Sequence, residues 1–401
     1  MKIVNKILQA NFGRDPERLA MKYRAMRNSP FVFLRGTCHL FYARLPKTGI
    51  FRSAPPVWSC GDLHIENFGS YKGDNRLTYF DINDFDEAAL APASWDLARL
   101  ATSIFVGGHD CGLSKPLAHA LAARLIDTYT TTLAGGRALW LERETSEGLV
   151  RTLLSQLRER TRSSFLDART QRKGQRRHLR VDGRKMLPVT PEQRALVTGF
   201  MAQFARSQPH PAFYDVVDVA RRIAGTGSLG VDRFAILVEG KGSPDQNYLL
   251  DLKQALPSSV ATHLPLLQPD WQSQAQRVVA VQQRMQAVPM AFLHAVNFNG
   301  GSYILRALQP SEDRVAFTAQ GNNPDRLLGL VGAMGQCVAA AQLRSAGRQQ
   351  SAIADDLIAF ALRRKWQAKL LDAADICAVQ TRLDWAAYCK AYDKGAFAIP
   401  G

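Results

Sequence analysis

Two short acidic motifs separated by a hairpin constrain this chain most. The first is Gly61-Asp62-Leu63-His64-Ile65-Glu66-Asn67-Phe68-Gly69 and the second is Asp81-Ile82-Asn83-Asp84-Phe85-Asp86-Glu87-Ala88. Between them, Phe68-Gly69-Ser70-Tyr71 and Leu77-Thr78-Tyr79-Phe80 have strand character, and Lys72-Gly73-Asp74-Asn75 is the turn. A hairpin returns the chain to its start, so Asp84 is predicted to approach Asn67 and Asp62. Carboxylate, amide and carboxylate form a hard-oxygen set suited to Mg²⁺ holding phosphate oxygens. A neighbouring carboxylate can orient an attacking hydroxyl or accept its proton. Asp and Asn also cap turns at strand ends, and Asp81 is expected to do that. His64 is as readily a packed histidine as a catalytic one.

A second constellation lies far downstream. Gly225-Thr226-Gly227-Ser228-Leu229-Gly230 is a GxGxxG turn, whose backbone N–H groups can cradle phosphates. A dinucleotide-binding turn of this spacing opens a helix. Here Val231 to Gly240 reads as a strand, as does Tyr248 to Ala255, which carries Lys253. That pattern favours a phosphate-covering hairpin over a nicotinamide site. Taken alone, the turn is a common hairpin feature and Lys253 a common surface lysine.

The residues of the first constellation carry a specific resemblance. GDLHxxNF (61–68) resembles the catalytic loop of the aminoglycoside- and choline-kinase-like branch of the protein-kinase-like fold, where the sequence is close to HGDLHxxN; Cys60 stands here in the histidine's place. NDFDEA (83–88) resembles that branch's IDFxxA, and Ala91-Pro92-Ala93-Ser94-Trp95-Asp96-Leu97-Ala98 echoes its GPxxWDLA, with order and spacing kept over roughly residues 58–100. With SPFVFLRG (29–36) ahead of it, the longer pattern is similar to the bacterial family DUF2252 over most of the chain.

By that resemblance Asp62 matches the catalytic aspartate and Asn67 and Asp84 the metal-binding pair. Asp86 is a further ligand or sits behind one, and Asp96 is a buried aspartate supporting the loop. Gly225, Thr226, Gly227, Ser228 and Gly230 would cover the phosphates, and Lys253 would contact them. The order is inverted, because kinases place the glycine turn and lysine before the catalytic loop. The implied fold is therefore α+β: a two-lobed, circularly permuted kinase-like fold with an α-rich lobe and a smaller antiparallel β-rich lobe. Permutation is tolerable because assembly depends on space and not on chain order. One departure stands out. The helix expected at 270–287 holds six glutamines and no glutamate to pair with Lys253, so that partner is missing or supplied elsewhere, for instance by Glu239 or Asp251.

Composition narrows the partners. The formal net charge is +16, and residues 151–185 hold twelve Lys or Arg against three Asp or Glu. More than half of the excess thus sits in one stretch, read as helix followed by an exposed polar loop at 168–185. Arg172, Lys173, Arg176, Arg177, Arg180, Arg184 and Lys185 could face an anionic partner or serve as a solvated insertion; without interleaved aromatics a base-stacking surface is not favoured. Arg35 and Arg306 could touch phosphate but read more readily as ion-pair residues. The six cysteines are scattered with no CxxC, which excludes a thiolate zinc knuckle and a disulfide scaffold. With no signal-like segment and no run of 18 apolar residues, a cytoplasmic location without membrane insertion is expected.

The expected organisation is a helical lead-in at 1–56 and a catalytic-loop and metal-site part at 57–210. A β-rich nucleotide-binding lobe at 211–310 and a closing helical part at 311–401 follow. The expected activity is ATP- and Mg²⁺-dependent phosphoryl transfer to an unidentified hydroxyl-bearing small molecule or protein. A nucleotide-binding pseudokinase, an adenylyl transferase on the same fold and a nucleic-acid-binding protein are the alternatives.

Overall fold

A computed structural model describes residues 2–108, 110–309, 313–315, 317 and 323–398. The chain begins with two helices, α1 (Lys2–Ala10) and α2 (Pro16–Asn28). Asp15 caps α2 by accepting the Arg18 N–H, and Pro16 occupies the first helical turn, where no N–H is missed. Two further short helices, Pro30–Gly36 and Cys38–Arg44, supply the packed structure expected of the aromatic run at 31–45.

The hairpin forms as its spacing predicts, inside a second antiparallel pair. β1 (Pro56–Ser59) pairs with β4 (Ala89–Pro92), Ser59 opposite Ala89. Nested between them, β2 (Phe68–Lys72) pairs with β3 (Thr78–Ile82), Phe68 opposite Ile82. The two acidic motifs are the connections between the inner and outer pairs, so both must emerge at the same end. The next helix, α3 (Ser94–Gly107), is buried along its whole length, which is why its sequence is apolar nearly all round. It lies in one large core with α4 (Lys115–Ala134), α6 (Pro324–Arg344) and α7 (Trp366–Asp393), centred on side chains such as Trp58, Trp95, Phe80 and Tyr129.

Residues 168–185 depart from the loop expected there. β5 (Thr170–Lys173) and β6 (Arg176–Leu179) make a hairpin turning at Gly174, whose φ is +59°. The charge hid an alternation: Arg177 is 2% exposed, paired with Asp167 and Asp245 (2.6 Å each), and Leu179 is buried beside it. Buried arginines that find two carboxylates can occupy core-facing strand positions.

A six-stranded antiparallel sheet follows, in the order β11-β12-β10-β9-β8-β7, formed by Met186–Leu187 (β7), Val216–Arg222 (β8), Arg233–Val238 (β9), Tyr248–Gln254 (β10), His294–Phe298 (β11) and Gly301–Ala307 (β12). It starts at residue 186, earlier than the boundary expected near 211. Strand periodicity explains its core. Phe234, Ile236 and Val238 pack on one face with Val197 and Met201 of the helix Pro191–Ala205, whereas Ala235 and Leu237 pack on the other with Leu166, Leu179 and Met186. The helix α5 (Gln274–Met285) runs between this sheet and the helical body. The fold is thus a mixed α+β structure built on antiparallel sheets.

Among the described residues, α6 alone is long and apolar enough to cross a membrane, and 72% of its most apolar stretch is buried inside the protein. Cys38, Cys60, Cys337 and Cys377 are buried thiols.

Candidate active site

The loop leaving β1 turns at Gly61, with φ +84°. A Cβ there would fall 2.2 Å from the Glu87 carbonyl oxygen, so no other residue fits. Asp96, at the start of α3, fixes the loop. Its carboxylate accepts from the Ser59 hydroxyl (2.9 Å), Cys60 N–H (2.9 Å) and Gly61 N–H (3.1 Å). Asp96 therefore stands where the resemblance puts a supporting aspartate. Asp81 accepts from the Ile82 N–H (2.9 Å) and pairs with Arg344 (2.8 Å), a structural role joining β3 to α6.

Asp62 then faces a cavity of about 280 Å³. Arg99 of α3 donates to its Oδ1 from Nε (2.8 Å) and also from Nη2, and lies over the rings of Phe41 and Tyr42. Burial, with Asp84 and Glu87 close by, pushes the Asp62 carboxyl up to about 6 against the pull of Arg99. Asn67 donates from Nδ2 to the Asp62 carbonyl, which leaves its Oδ1 for other partners. His64 accepts the Glu66 N–H on Nδ1 (3.2 Å) and meets Phe31 edge-on. Burial and three nearby arginines hold it well below its usual range, so it is neutral.

The same cavity is lined by Asp62, Asn67, Asp84 and Asp86 from the acidic motifs, by Gly225, Thr226, Gly227 and Ser228 from the turn between β8 and β9, and by Lys253 of β10. Residues more than 160 positions apart are thereby brought together. Gly227 approaches Asp62: a Cβ on it would be 3.7 Å from Asp62 Oδ2. Gly230 stands apart from the cavity and packs on Arg14, while its carbonyl accepts the Asp15 N–H (2.8 Å).

Lys253 pairs with Asp86. Neither acid suggested from the sequence is its partner. Glu239 accepts from the Ser243 N–H and hydroxyl (2.7 and 2.8 Å), and Asp251 is taken by arginines. Alternate strand positions explain this: Asp251 and Lys253 share a face of β10, but Arg233 on the neighbouring strand reaches Asp251 with both prongs (2.8 and 2.6 Å). Asp86, set among the metal ligands by the sequence reading, is thus engaged by the lysine.

Asp84 makes no ion pair among the described residues. Nor do three or more His, Cys, Asp or Glu side chains gather there as a ready cation cage. Asp84 and the Asn67 amide together offer two hard oxygens, which fits Mg²⁺, an ion that usually takes one or two carboxylates and completes its shell with water and phosphate.

Several cavity residues carried no recognisable sequence signal. Arg14 donates to the carbonyls of Gly227 (2.7 Å) and Leu229 (3.1 Å), and the fully buried Lys22 donates to Gly227 (3.1 Å) and Asn11 (2.8 Å). Burial, reinforced by Arg14, holds Lys22 well below its usual range. The N-terminal helices are thus clamped onto the glycine turn. In a planar trans peptide the N–H points opposite the carbonyl, so fixing the Gly227 carbonyl turns the Ser228 N–H away from α1 and α2. Arg99 did have a signal: it is the lone charge after Asp96 in an otherwise apolar helix. Arg35 pairs with Glu66 (2.5 Å), the ion-pair role expected of it, and Arg306 Nε stands 3.6 Å from Asp251.

The basic segment does not present one free platform. Arg177 is buried between Asp167 and Asp245, and Arg172 also reaches Asp245 (3.4 Å).

No curated protein and no solved structure matches this chain. Residues 14–391 match the family described as an uncharacterized protein conserved in bacteria, DUF2252. That match spans nearly the whole fold, from the turn before α2 to the end of α7, and the chain belongs to the DUF2252 family.

Proposed function

We propose that this protein is an ATP- and Mg²⁺-dependent phosphotransferase acting on a hydroxyl-bearing substrate, on a permuted kinase-like arrangement of an α-rich and a β-rich part. The supporting observation is the convergence of Asp62, Asn67, Asp84, the glycine turn and Lys253 on one cavity, from segments whose order in the chain is inverted. Bound Mg·ATP would supply the phosphoryl group and neutralise its developing charge.

The chain's own residues do the rest by position and charge. Asp62 holds the acceptor hydroxyl and takes its proton; near neutral pH a carboxyl titrating at about 6 is mostly ionised and still basic enough to accept. Arg99 fixes its orientation. Asn67 Oδ1 and Asp84 hold the cation, and Lys253, steadied by Asp86, pairs with phosphate oxygens. The Ser228 N–H is left to face phosphate, because Arg14 and Lys22 hold the preceding Gly227 carbonyl. The Asp86 pairing gives Lys253 an acidic partner in place of a helix glutamate, which supports the transferase reading over a pseudokinase.

The test is purified protein with Mg²⁺ and ATP, assayed for nucleotide turnover, beside Asp84→Ala. Turnover in the parent, lost in a variant with an unchanged circular dichroism spectrum, is the expected result; release of pyrophosphate in place of ADP would assign adenylyl transfer. Equal turnover in both proteins would sink the proposal.

A further inference from the structure

A second cavity, of about 290 Å³, adjoins the first and shares Asp84, Gly225, Ser228, Lys253 and Arg314 with it. Its other walls are unlike those of the first. Arg222, Arg233 and Arg306 line it from the sheet, and Lys185 from the end of the basic segment. Asp84 is the only acid on its surface among the described residues, and no aromatic ring lines it.

The three sheet arginines converge on one fully buried carboxylate, Asp251. Arg233 engages both oxygens of that carboxylate, one hydrogen bond to each. Arg222 Nη1 lies 2.9 Å from it, and Arg306 Nε 3.6 Å, yet neither atom makes a hydrogen bond. Three guanidiniums share this one carboxylate, and Asp84 is the one acid on the cavity wall among the described residues, so positive charge is in excess there, in a place 9% exposed or less at Arg222 and Arg233. Burying unpaired charge is costly. The strain registers on Arg222, which burial, with Arg233 and Arg306 beside it, pushes down to about 10. A set of buried, over-positive guanidiniums opening on a cavity is what recognises phosphate oxygens, through planar donors that match their geometry. The same walls are poor for a purine or pyrimidine, which needs apolar or aromatic faces.

We propose that this second cavity is a receptor for a phosphate-bearing anion, a di- or triphosphate group by its charge, and that no nucleobase lies in it. The two halves of the molecule then meet at a shared wall, where Asp84 and Lys253 face both cavities. Lys185 gives part of the basic segment a ligand-facing role that its ion-paired neighbours Arg172 and Arg177 do not have.

The experiment is calorimetric titration of the intact protein with sodium tripolyphosphate, in EDTA and 0.15 M salt. Anion binding is then read without metal or turnover, independently of the transferase proposal. Three proteins are compared: the parent, Lys185→Gln/Arg306→Gln and Lys173→Gln/Arg176→Gln. Lys173 and Arg176 are exposed and outside the cavity, so the second pair controls for general charge. Binding that falls tenfold or more in the first double variant, and less than twofold in the second, is the expected result. ATP displacing tripolyphosphate would make the nucleotide's own phosphates the occupant, whereas ATP failing to displace it would point to a separate phosphorylated substrate; either keeps the site. Absent binding, or equal losses in both double variants, would overturn it, as would adenosine competing with tripolyphosphate.

Discussion

The pairing of Lys253 with Asp86 can be weighed by a double-mutant cycle. The lysine side chain is 4% exposed and the aspartate's 31%, so one member of the pair is sealed in the protein and the other keeps some water. Removing one partner of a fully buried pair typically costs about 3–5 kcal/mol, because a naked charge is left behind. The partial exposure of Asp86 lowers this, so Asp86→Ala is expected to destabilise by about 2 kcal/mol. Lys253→Met should cost less, about 1 kcal/mol, since the freed carboxylate can recover water. The coupling energy should be about 1–2 kcal/mol. The variant is clean for a structural reason. Arg277 of α5 holds the loop through the carbonyls of Asp86 (2.8 Å) and Ala88 (2.6 Å), and both survive substitution of the Asp86 side chain.

The sign with pH follows. Burial raises the Asp86 carboxyl, but the charge and hydrogen bond of Lys253, with Arg306 and Arg233 behind, outweigh it and hold the group below the usual carboxylate value. A depressed acid contributes stability that is complete above its unfolded value and fades as pH falls through the folded one. The coupling should therefore be flat from pH 6 to 8. Urea denaturation of the four proteins gives it directly. A coupling below about 0.5 kcal/mol would refute the idea that Asp86 is the lysine's energetic partner.

Three further outcomes follow from the loop around Asp62. Burial raises that carboxyl to about 6, so under the transferase proposal kcat/KM should be half-maximal near pH 6 and fall about tenfold per unit below it, an acid limb that Asp62→Asn would not show. The same raised value means the folded chain binds this proton more tightly than the unfolded one, so this group's contribution to stability grows as pH falls from above 6 towards 4. Asp96→Ala removes the acceptor of the buried Cys60 N–H and of the Ser59 hydroxyl, while the Gly61 N–H keeps Ser59 Oγ, and should cost about 2–4 kcal/mol in urea denaturation, with Asp96→Asn nearer half of that because one acceptor oxygen remains; a loss below about 1 kcal/mol would mean the loop holds itself.

What the sequence made legible was local. Asp62, Asn67 and Asp84 belong to a nested hairpin whose turn, strands and glycines are written within thirty residues, and the apolar run within Val231 to Gly240 read as a strand, of which Arg233–Val238 forms β9. What stayed hidden was decided by partners far away in the chain. Arg177 looked like part of a solvated loop because nothing near it announces Asp245, and Arg14 and Lys22 looked like the surface of a lead-in helix because their acceptors are carbonyls of a turn more than 200 residues on. Backbone carbonyls have no sequence signature, so such contacts are invisible to pattern reading.

The helix without a glutamate shows how such contacts can replace a missing motif. In α5 the side chain facing the site is Arg277, 6% exposed, and its guanidinium reaches the carbonyls of Asp86, Ala88 and Leu256 at once. It ties the second acidic motif to the strand end just beyond Lys253. The helix therefore acts on the lysine at one remove: Arg277 sets the backbone of Asp86, and the Asp86 side chain sets Lys253. A helix glutamate would hold the lysine directly but leave the loop to find its own place. The indirect route couples the two, so any shift of α5 moves Asp86, and with it the lysine, against Asp84. Under the transferase proposal an inverted motif order is accommodated, because the link between the sheet and the acidic loop is made by one buried guanidinium binding main-chain oxygens from both.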